Sequence, residues 1–114
     1  ARKCAMDGNG QFNEIIHAPL RLRICGLLRP VDEVDIAVLR ESLGISDASL
    51  SKHLKVLSDN GFVKTSKRPS TERSDSRRLT WVKLTPSGRK AFDAHVEQLR
   101  LIAAGFAATE ETRA

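Results

Sequence analysis

The sequence predicts a single, mainly α-helical domain that also contains a small β-hairpin and ends in a long helix. Apolar residues recur every three or four positions in the first half of the chain, which is the spacing of amphipathic helices. After Gly61 this spacing gives way to two short runs of β-branched and aromatic residues, and it returns after Thr85. With 114 residues, 40% of them hydrophobic and 29% charged, the chain can bury a core without a metal or disulfide staple.

The N-terminal part predicts a flexible tail over residues 1–10, followed by two helices at the start of a domain that spans 11–108. The first helix is short and is predicted from the apolar residues Phe12, Ile15 and Ile16. Pro19 suits the first turn of the second helix, because its missing N–H would have no partner there. The apolar stripe of the second helix is Leu20, Ile24, Leu27 and Leu28, and Pro30 ends it.

Two further helices follow, joined by a tight turn over residues 44–46. Asp35 is the expected N-cap of the first and Gly44 its end, and Ser46 is the expected N-cap of the second. The apolar positions that face inward are Ile36, Leu39 and Leu43 in the first helix and Leu50, Leu54 and Leu57 in the second. Residues 35–60 therefore predict a helix-turn-helix.

The next segment predicts a two-stranded hairpin over residues 62–84, with strands at 62–65 and 79–84 and a charged loop between them. Trp81 is expected to pack between the hairpin and the helices. Thr85 caps the last helix, predicted over 86–108, and residues 109–114 form a tail. A helix-turn-helix followed by a hairpin predicts a winged helix-turn-helix fold.

The charge pattern indicates a polyanionic partner. The net charge is +5 and the isoelectric point is near 9.7. Most of the surplus lies between Lys64 and Arg78, in the hairpin directly after the helix-turn-helix. The opposite face of the preceding helix carries Ala48, Ser51, Lys52 and Lys55, a set of small and cationic side chains that fits a DNA major groove.

These residues define a candidate DNA-binding site on the helix and the wing. Two interpretations of the helix face remain open, a solvated surface or a base-reading surface. His53 suits either half-buried packing or a phosphate or backbone contact. The residues expected to contact DNA are Ser46, Asp47, Ala48, Ser49, Ser51, Lys52, His53, Lys55, Lys67, Arg68, Arg73, Arg77 and Arg78. An alternative function is a protein-interaction module in which the same helix face binds an acidic partner.

The last helix predicts a dimer interface. Phe92, Val96, Leu99, Ala103 and Phe106 follow one another at heptad spacing over about two heptads. The first part of this seam suits packing on the chain's own core as well, whereas Ile102, Ala103 and Phe106 favour an intersubunit role. A dimer would double the phosphate contacts and read a palindrome.

No catalytic, cofactor or membrane motif is found in the sequence, so we expect no enzyme activity and no cofactor. The longest apolar stretch, residues 101–108, is far too short to span a bilayer. Cys4 and Cys25 are too few for a disulfide framework and fit a cytoplasmic protein. Cys25 suits a buried position, and a redox or metal sensor gated by cysteine is a further alternative. The three histidines lie far apart, which disfavours a metal site.

Three segments carry a family resemblance. Residues 51–57 with Gly61-Phe62-Val63 resemble the S-x-H-L-x-x-L…G-[LFY]-V pattern of ArsR-type and MarR-type bacterial winged-helix regulators. Residues 84–91 resemble the L-T-x-x-G-R-x-A segment that leads from wing to final helix in the MarR type, and residues 17–24 resemble the start of the first helix in short single-domain relatives.

The resemblance covers about residues 15–105 and implies a homodimeric, repressor-like regulator that places residues 46–55 in the major groove of double-stranded DNA. It also implies that the first and last helices form the dimer interface, which adds Ile15, Ile16 and Leu20. The paired-cysteine metal motif of many ArsR-type sensors has no counterpart on the helix that is predicted to enter the major groove. A small-molecule effector, if there is one, is therefore not identified.

Overall fold

The computed structural model describes residues 12–69 and 78–105, and within these ranges it has five helices and three strands. The helices are α1 (Glu14–His17), α2 (Pro19–Leu28), α3 (Ile36–Leu43), α4 (Asp47–Asp59) and α5 (Pro86–Ala103), and the strands are β1 (Val34–Asp35), β2 (Val63–Pro69) and β3 (Arg78–Leu84). The predicted tails at 1–10 and 109–114, and residues 70–77 of the wing, lie outside the described residues. The mainly helical winged helix-turn-helix fold is confirmed.

Side-chain caps start the helices where the sequence predicts them. Asp35 accepts a hydrogen bond from the Ala37 N–H at 2.9 Å, and Ser46 accepts one from the Ser49 N–H at 3.1 Å. These caps satisfy backbone donors that a helix leaves unpaired at its first turn. Gly44 ends α3 with φ of 66°, a left-handed conformation that glycine adopts without steric cost. Residues 44–46 therefore form the tight turn between α3 and α4.

The sheet differs from the predicted two-stranded hairpin. β1 adds a third strand, in the order β1-β3-β2, with all neighbours antiparallel. The strand β2 also extends to Pro69, through part of the segment predicted to be a loop. Extended backbone here is stabilised by pairing with β3, from Val63 opposite Leu84 to Pro69 opposite Arg78. Such long-range pairing leaves no local signal in a charged sequence.

The core lies between the helices and one face of this sheet. Its fully or largely buried members are Ile16, Ile24, Cys25, Leu28, Leu39, Leu43, Leu50, Leu54, Leu57, Val63, Val82 and Leu84. All three inward positions predicted for α4 are among them. Leu27 of the predicted α2 stripe is instead 39% exposed.

A compact joint fixes the start of α5 against the root of the wing. Thr85 accepts a hydrogen bond from the Gly88 N–H at 2.9 Å and donates its hydroxyl to the Gly61 carbonyl at 2.6 Å. The Thr85 N–H also donates to the Phe62 carbonyl. Gly88 lies against that Phe62 carbonyl, so closely that a side chain at position 88 would collide with it. The threonine and glycine of this segment thus join α5, the α4–β2 turn and the wing.

Candidate nucleic-acid interface

Helix α4 presents the predicted small and cationic side chains on one exposed face. Ala48, Ser51, Lys52 and Lys55 are all exposed, while Leu50, Leu54 and Leu57 are buried on the opposite side. The spacing of 3.6 residues per turn separates the two sets, as the sequence predicts. Helix α4 is thereby anchored in the core and keeps its polar face available to a partner.

The strand β2 divides the two wing cations Lys67 and Arg68 between opposite faces of the sheet. Successive side chains of a strand point to opposite sides. Lys67 pairs across from Thr80 and shares a face with the buried Val63 and Val82, which is the side toward the helices. Arg68 therefore lies on the outer face. Both residues were predicted to contact DNA, and the pleat of the strand places them on different faces.

On the outer face Arg68 has two partners within its own chain. Its Nη2 lies 2.6 Å from the Glu33 carboxylate, and its guanidinium lies 5.0 Å from the centre of the Trp81 ring. Trp81 was expected to pack between the hairpin and the helices. It is instead half-buried on the outer face, beneath Arg68, because it alternates with the buried Val82. This contact braces the wing against the segment before β1.

A groove lies between α4 and the inner face of the wing. Its volume is about 450 Å³. The residues that line it are Ile36, Ser51, Leu54, Lys55, Ser58, Asp59, Thr65, Lys67 and Thr80. Three predicted DNA contacts, Ser51, Lys55 and Lys67, thus meet at one surface feature. The sequence does not mark the hydroxyls of Ser58, Thr65 and Thr80 as part of this site, because helical spacing and strand alternation place them there only in combination.

Acidic residues accompany several of these cations. The Lys55 Nζ lies 3.3 Å from the Asp59 carboxylate, one helical turn along α4. At the start of α4, the Asp47 carboxylate accepts a hydrogen bond from Arg40 at 2.9 Å. This contact makes the carboxylate less available to accept a hydrogen bond from a DNA base. The hydrogen bond to Asp47, together with the negative charge of Asp47, raises the pKa of Arg40. These pairs have exposed members, so they are weak and can exchange for phosphate contacts.

His53 is half-buried beside the exposed face of α4. Its Nδ1 lies 3.1 Å from Nη1 of Arg21 in α2. Burial, with the nearby positive charges of Arg21 and Lys52, lowers the pKa of His53. His53 thus packs against Arg21 in the structure, and a phosphate or backbone contact of His53 stays a prediction.

The remaining wing cations of the prediction fall at the limit of the described residues. Arg73 and Arg77 lie outside them, and Arg78 is the first residue of β3. The Ser46 hydroxyl caps α4 by accepting from the backbone N–H of Ser49, which leaves the Ser49 side chain outside this cap.

The residues predicted for a dimer interface divide into buried and exposed sets. Ile16 is completely buried in its own chain's core, so it has no surface to offer a partner. Ile15, Leu20, Phe92 and Leu99 are half-buried, Val96 and Ile102 are 41% and 47% exposed, and Ala103 is exposed; Phe106 lies outside the described residues. The second half of α5 thus exposes apolar side chains beside the Glu97–Arg100 ion pair.

Other candidate chemistry is limited in residues 12–69 and 78–105. Cys25 is fully buried, and burial raises the pKa of its thiol to about 12, which keeps it protonated and unreactive. Cys4 lies outside the described residues. No cluster of three or more potential metal ligands occurs in the described ranges. No helix in that part of the chain is long and apolar enough to cross a bilayer.

The helix-turn-helix, the antiparallel wing and the shared basic groove define a winged-helix protein of the DNA-binding class. The family model described as a winged helix DNA-binding domain matches residues 20–103, and the chain belongs to this family. The family and the fold are those of transcriptional regulators, which are not enzymes.

Similar proteins agree with this assignment. An uncharacterized protein of Methanocaldococcus jannaschii is 31% identical over 86 residues, which covers 75% of this chain and 89% of the relative. The uncharacterized HTH-type transcriptional regulator YdgJ of Bacillus subtilis is 31% identical over 74 residues, 65% of this chain but only 42% of that protein.

Solved structures show the same architecture. A transcriptional regulator homologue from Pyrococcus horikoshii superposes with a TM-score of 0.73 at 26% identity, over 86% of this chain and 93% of that one. A MarR-family regulator from Porphyromonas gingivalis superposes with a TM-score of 0.63 at 22% identity, over 89% and 91% of the two chains. The predicted resemblance to MarR-type winged helices is confirmed.

Proposed function

We propose that the chain acts as a homodimeric repressor that binds a palindromic DNA operator through α4 and the wing. The observation that supports this proposal is the groove in which Ser51 and Lys55 of α4 meet Lys67 of β2. Cations from two elements around one concave surface suit a polyanion that touches both elements at once. A bound dimer would exclude other proteins from a promoter, in the cytoplasm where bacterial and archaeal chromosomes lie.

In this proposal the exposed face of α4 enters the major groove. Lys52 donates to guanine O6 or N7, Ser51 exchanges hydrogen bonds with base edges or phosphates, and Ala48 contacts a thymine methyl group. All three side chains are exposed on the side of α4 that faces away from the core. Specificity for one sequence would come from this face.

The groove between α4 and the wing would hold the sugar-phosphate backbone of one strand. Lys55 and Lys67 supply positive charge there, and Ser58, Thr65 and Thr80 supply hydroxyl donors. Lys55 would exchange its contact with Asp59 for a phosphate oxygen. Because an exposed ion pair of this type is worth at most about 1 kcal/mol, the exchange costs little.

Dimerisation would proceed through the second half of α5. Val96 and Ile102 expose apolar surface that the described part of the chain leaves uncovered. A two-fold axis through this helix pair would place two recognition helices in successive major grooves, about 34–36 Å apart. No effector is assigned to this dimer.

Salt titration on duplex DNA tests the proposal. Lys52, Lys55 and Lys67 give three groove or face cations per protomer and six per dimer, so the log–log slope should be about −5 or steeper. Lys52→Ala should weaken binding to a selected duplex far more than to random duplex. Lys90→Ala, the same charge change on the exposed surface of α5, is the matched control. No duplex binding at low salt would contradict the proposal and favour a module for acidic protein partners.

Sedimentation tests the dimer separately. Ile102→Glu should convert the dimer to a monomer and reduce operator binding, because a buried charge without a partner destabilises an apolar interface. Val38→Glu on α3, at a position 52% exposed and outside the proposed interface, should leave the dimer intact. A monomeric wild-type chain that still binds a palindrome would contradict this part of the proposal.

A further inference from the structure

We propose that Arg21 is a positioning residue for the recognition helix α4, and that it acts only while His53 is neutral. This inference rests on the proposed function, since its consequence is a change in operator recognition. Arg21 lies in α2 and is partly buried, between α1 and α4. Neither the charge pattern nor any motif marks it as part of the DNA-binding site.

The two contacts of Arg21 join three helices. Its Nε donates to the Ile15 carbonyl of α1 at 2.6 Å, and its Nη1 lies 3.1 Å from His53 Nδ1 on α4. A guanidinium group is planar and holds its donors in a fixed fork. When one donor is held by the backbone of α1, the other fixes where His53 can lie.

The position of His53 on α4 makes this contact relevant to DNA recognition. His53 lies between Lys52, on the exposed face, and Leu54, in the core. A shift of His53 would rotate or translate α4, and would move Lys52 relative to the wing. Binding sites tolerate only about 0.5 Å of such displacement before affinity declines.

The contact requires neutral His53. Arginine has no acceptor atom, so Nδ1 of His53 must accept and the imidazole proton must be on Nε2. The charged groups that act on His53 are Arg21 from α2 and Lys52 from its own helix, and α1 faces Arg21 with a carbonyl group. Among the described residues no carboxylate pairs with either Arg21 or His53. Protonation would therefore remove the acceptor and place two cations side by side.

Helix α1 is also held to α5 through hydrogen bonds of two histidines. His95 of α5 is completely buried, and its Nδ1 accepts from the Asn13 N–H at 3.0 Å. Its Nε2 then carries the proton and donates to Nδ1 of His17 at 3.2 Å. All three histidines of the chain thus lie along one path from α5 through α1 to α4.

The expected pH dependence is opposite to that of simple charge attraction. A protonated His53 adds positive charge near DNA and would strengthen binding to any duplex. Loss of the Arg21 contact should instead weaken binding to the selected operator at a pH below about 6.5, the free value of histidine, because burial and the charges of Arg21 and Lys52 lower the pKa of His53. The ratio of specific to non-specific affinity should therefore fall as the pH falls.

The experiment compares three variants with the wild-type dimer on a selected duplex and on a random duplex of equal length. Arg21→Gln should reduce affinity for the selected duplex by about tenfold, as expected for loss of a hydrogen bond to a charged group. Arg23→Gln makes the same charge change on the exposed side of α2 and is the control. His53→Gln keeps an acceptor oxygen but does not titrate, so the affinity ratio should become independent of pH between 5.5 and 8.

Two results would overturn the inference. An equal loss on both duplexes beyond that of Arg23→Gln would make Arg21 a phosphate contact, and a pH-dependent ratio in His53→Gln would remove His53 from the mechanism. Hydrogen exchange without DNA separates this inference from the proposed function. Arg21→Gln should increase amide exchange in α4 even if no duplex binds, and unchanged exchange there would contradict the positioning role. Failure of the wild-type chain to bind any duplex would contradict the proposed function alone.

Discussion

Lys67 and Arg68 are adjacent in sequence, and we expect opposite outcomes when each is changed to glutamine. Lys67 lines the groove beside α4, whereas Arg68 lies on the outer face with Glu33 and Trp81. Each lost phosphate contact reduces the magnitude of the slope of log K against log salt concentration by about 0.9. Lys67→Gln should therefore reduce the magnitude of this slope by about 1.8 for a dimer. When the salt concentration rises from about 50 to about 200 mM, the affinity of the variant should therefore fall about tenfold less than that of the wild type.

Arg68→Gln should leave the salt slope unchanged and reduce stability instead. Its ion pair with Glu33 is 2.6 Å long but partly exposed, so it contributes less than about 1 kcal/mol, and the contact with Trp81 contributes a similar amount. The free energy of unfolding should fall by about 1 kcal/mol, which urea denaturation measures. If Arg68→Gln lowers the salt slope as much as Lys67→Gln does, the assignment of the two side chains to opposite faces is wrong.

Four further outcomes are expected. Gly88→Ala should lower the free energy of unfolding by about 1–3 kcal/mol or more, because the new Cβ collides with the Phe62 carbonyl. Cys25 should resist alkylation at pH 8 until the chain unfolds, since burial raises its pKa to about 12. Asp59→Asn should tighten binding to random duplex by about two- to threefold, because a negative charge leaves the groove. Burial lowers the pKa of His95, so stability should fall as the pH drops below about 6.5, and His95→Gln should flatten this dependence in urea titrations.

The first three of these outcomes have a control. Gly26→Ala should not destabilise the chain, because the nearest atom to a Cβ there is an ordinary 3.9 Å contact with Phe92. Alkylation of Cys25 is measured in a Cys4→Ser background, and rapid modification of the folded protein would contradict its burial. Glu97→Gln removes an acid from an ion pair on α5, remote from the groove, and should not change DNA affinity. If it tightens binding as Asp59→Asn does, net charge alone explains the effect.

Local signals explain how much of the fold the sequence could predict. The caps at Asp35, Ser46 and Thr85 and the left-handed Gly44 depend on residues within three positions of each other. Helical spacing likewise separates the buried leucines of α4 from its exposed face. These features do not depend on the rest of the chain, so the sequence alone could predict them.

The features that the sequence could not predict depend on residues far apart in the chain. β1 is only two residues long and exists because Val34 and Asp35 pair with β3. Glu33 contacts Arg68 across 35 positions, and Arg21 contacts His53 across 32. The division between Lys67 and Arg68 was in principle predictable from strand alternation, but only once the strand was known to reach Pro69.

Selection of bound duplexes from a random pool tests the central claim most directly, namely that α4 and the wing form one surface for double-stranded DNA. We expect an inverted repeat whose half-site centres are about 34–36 Å apart, or a multiple of that spacing. We expect Lys52→Ala to weaken the base preference at one or more positions of this repeat. Recovery of no preferred sequence, with no binding to random duplex at low salt, would contradict the claim.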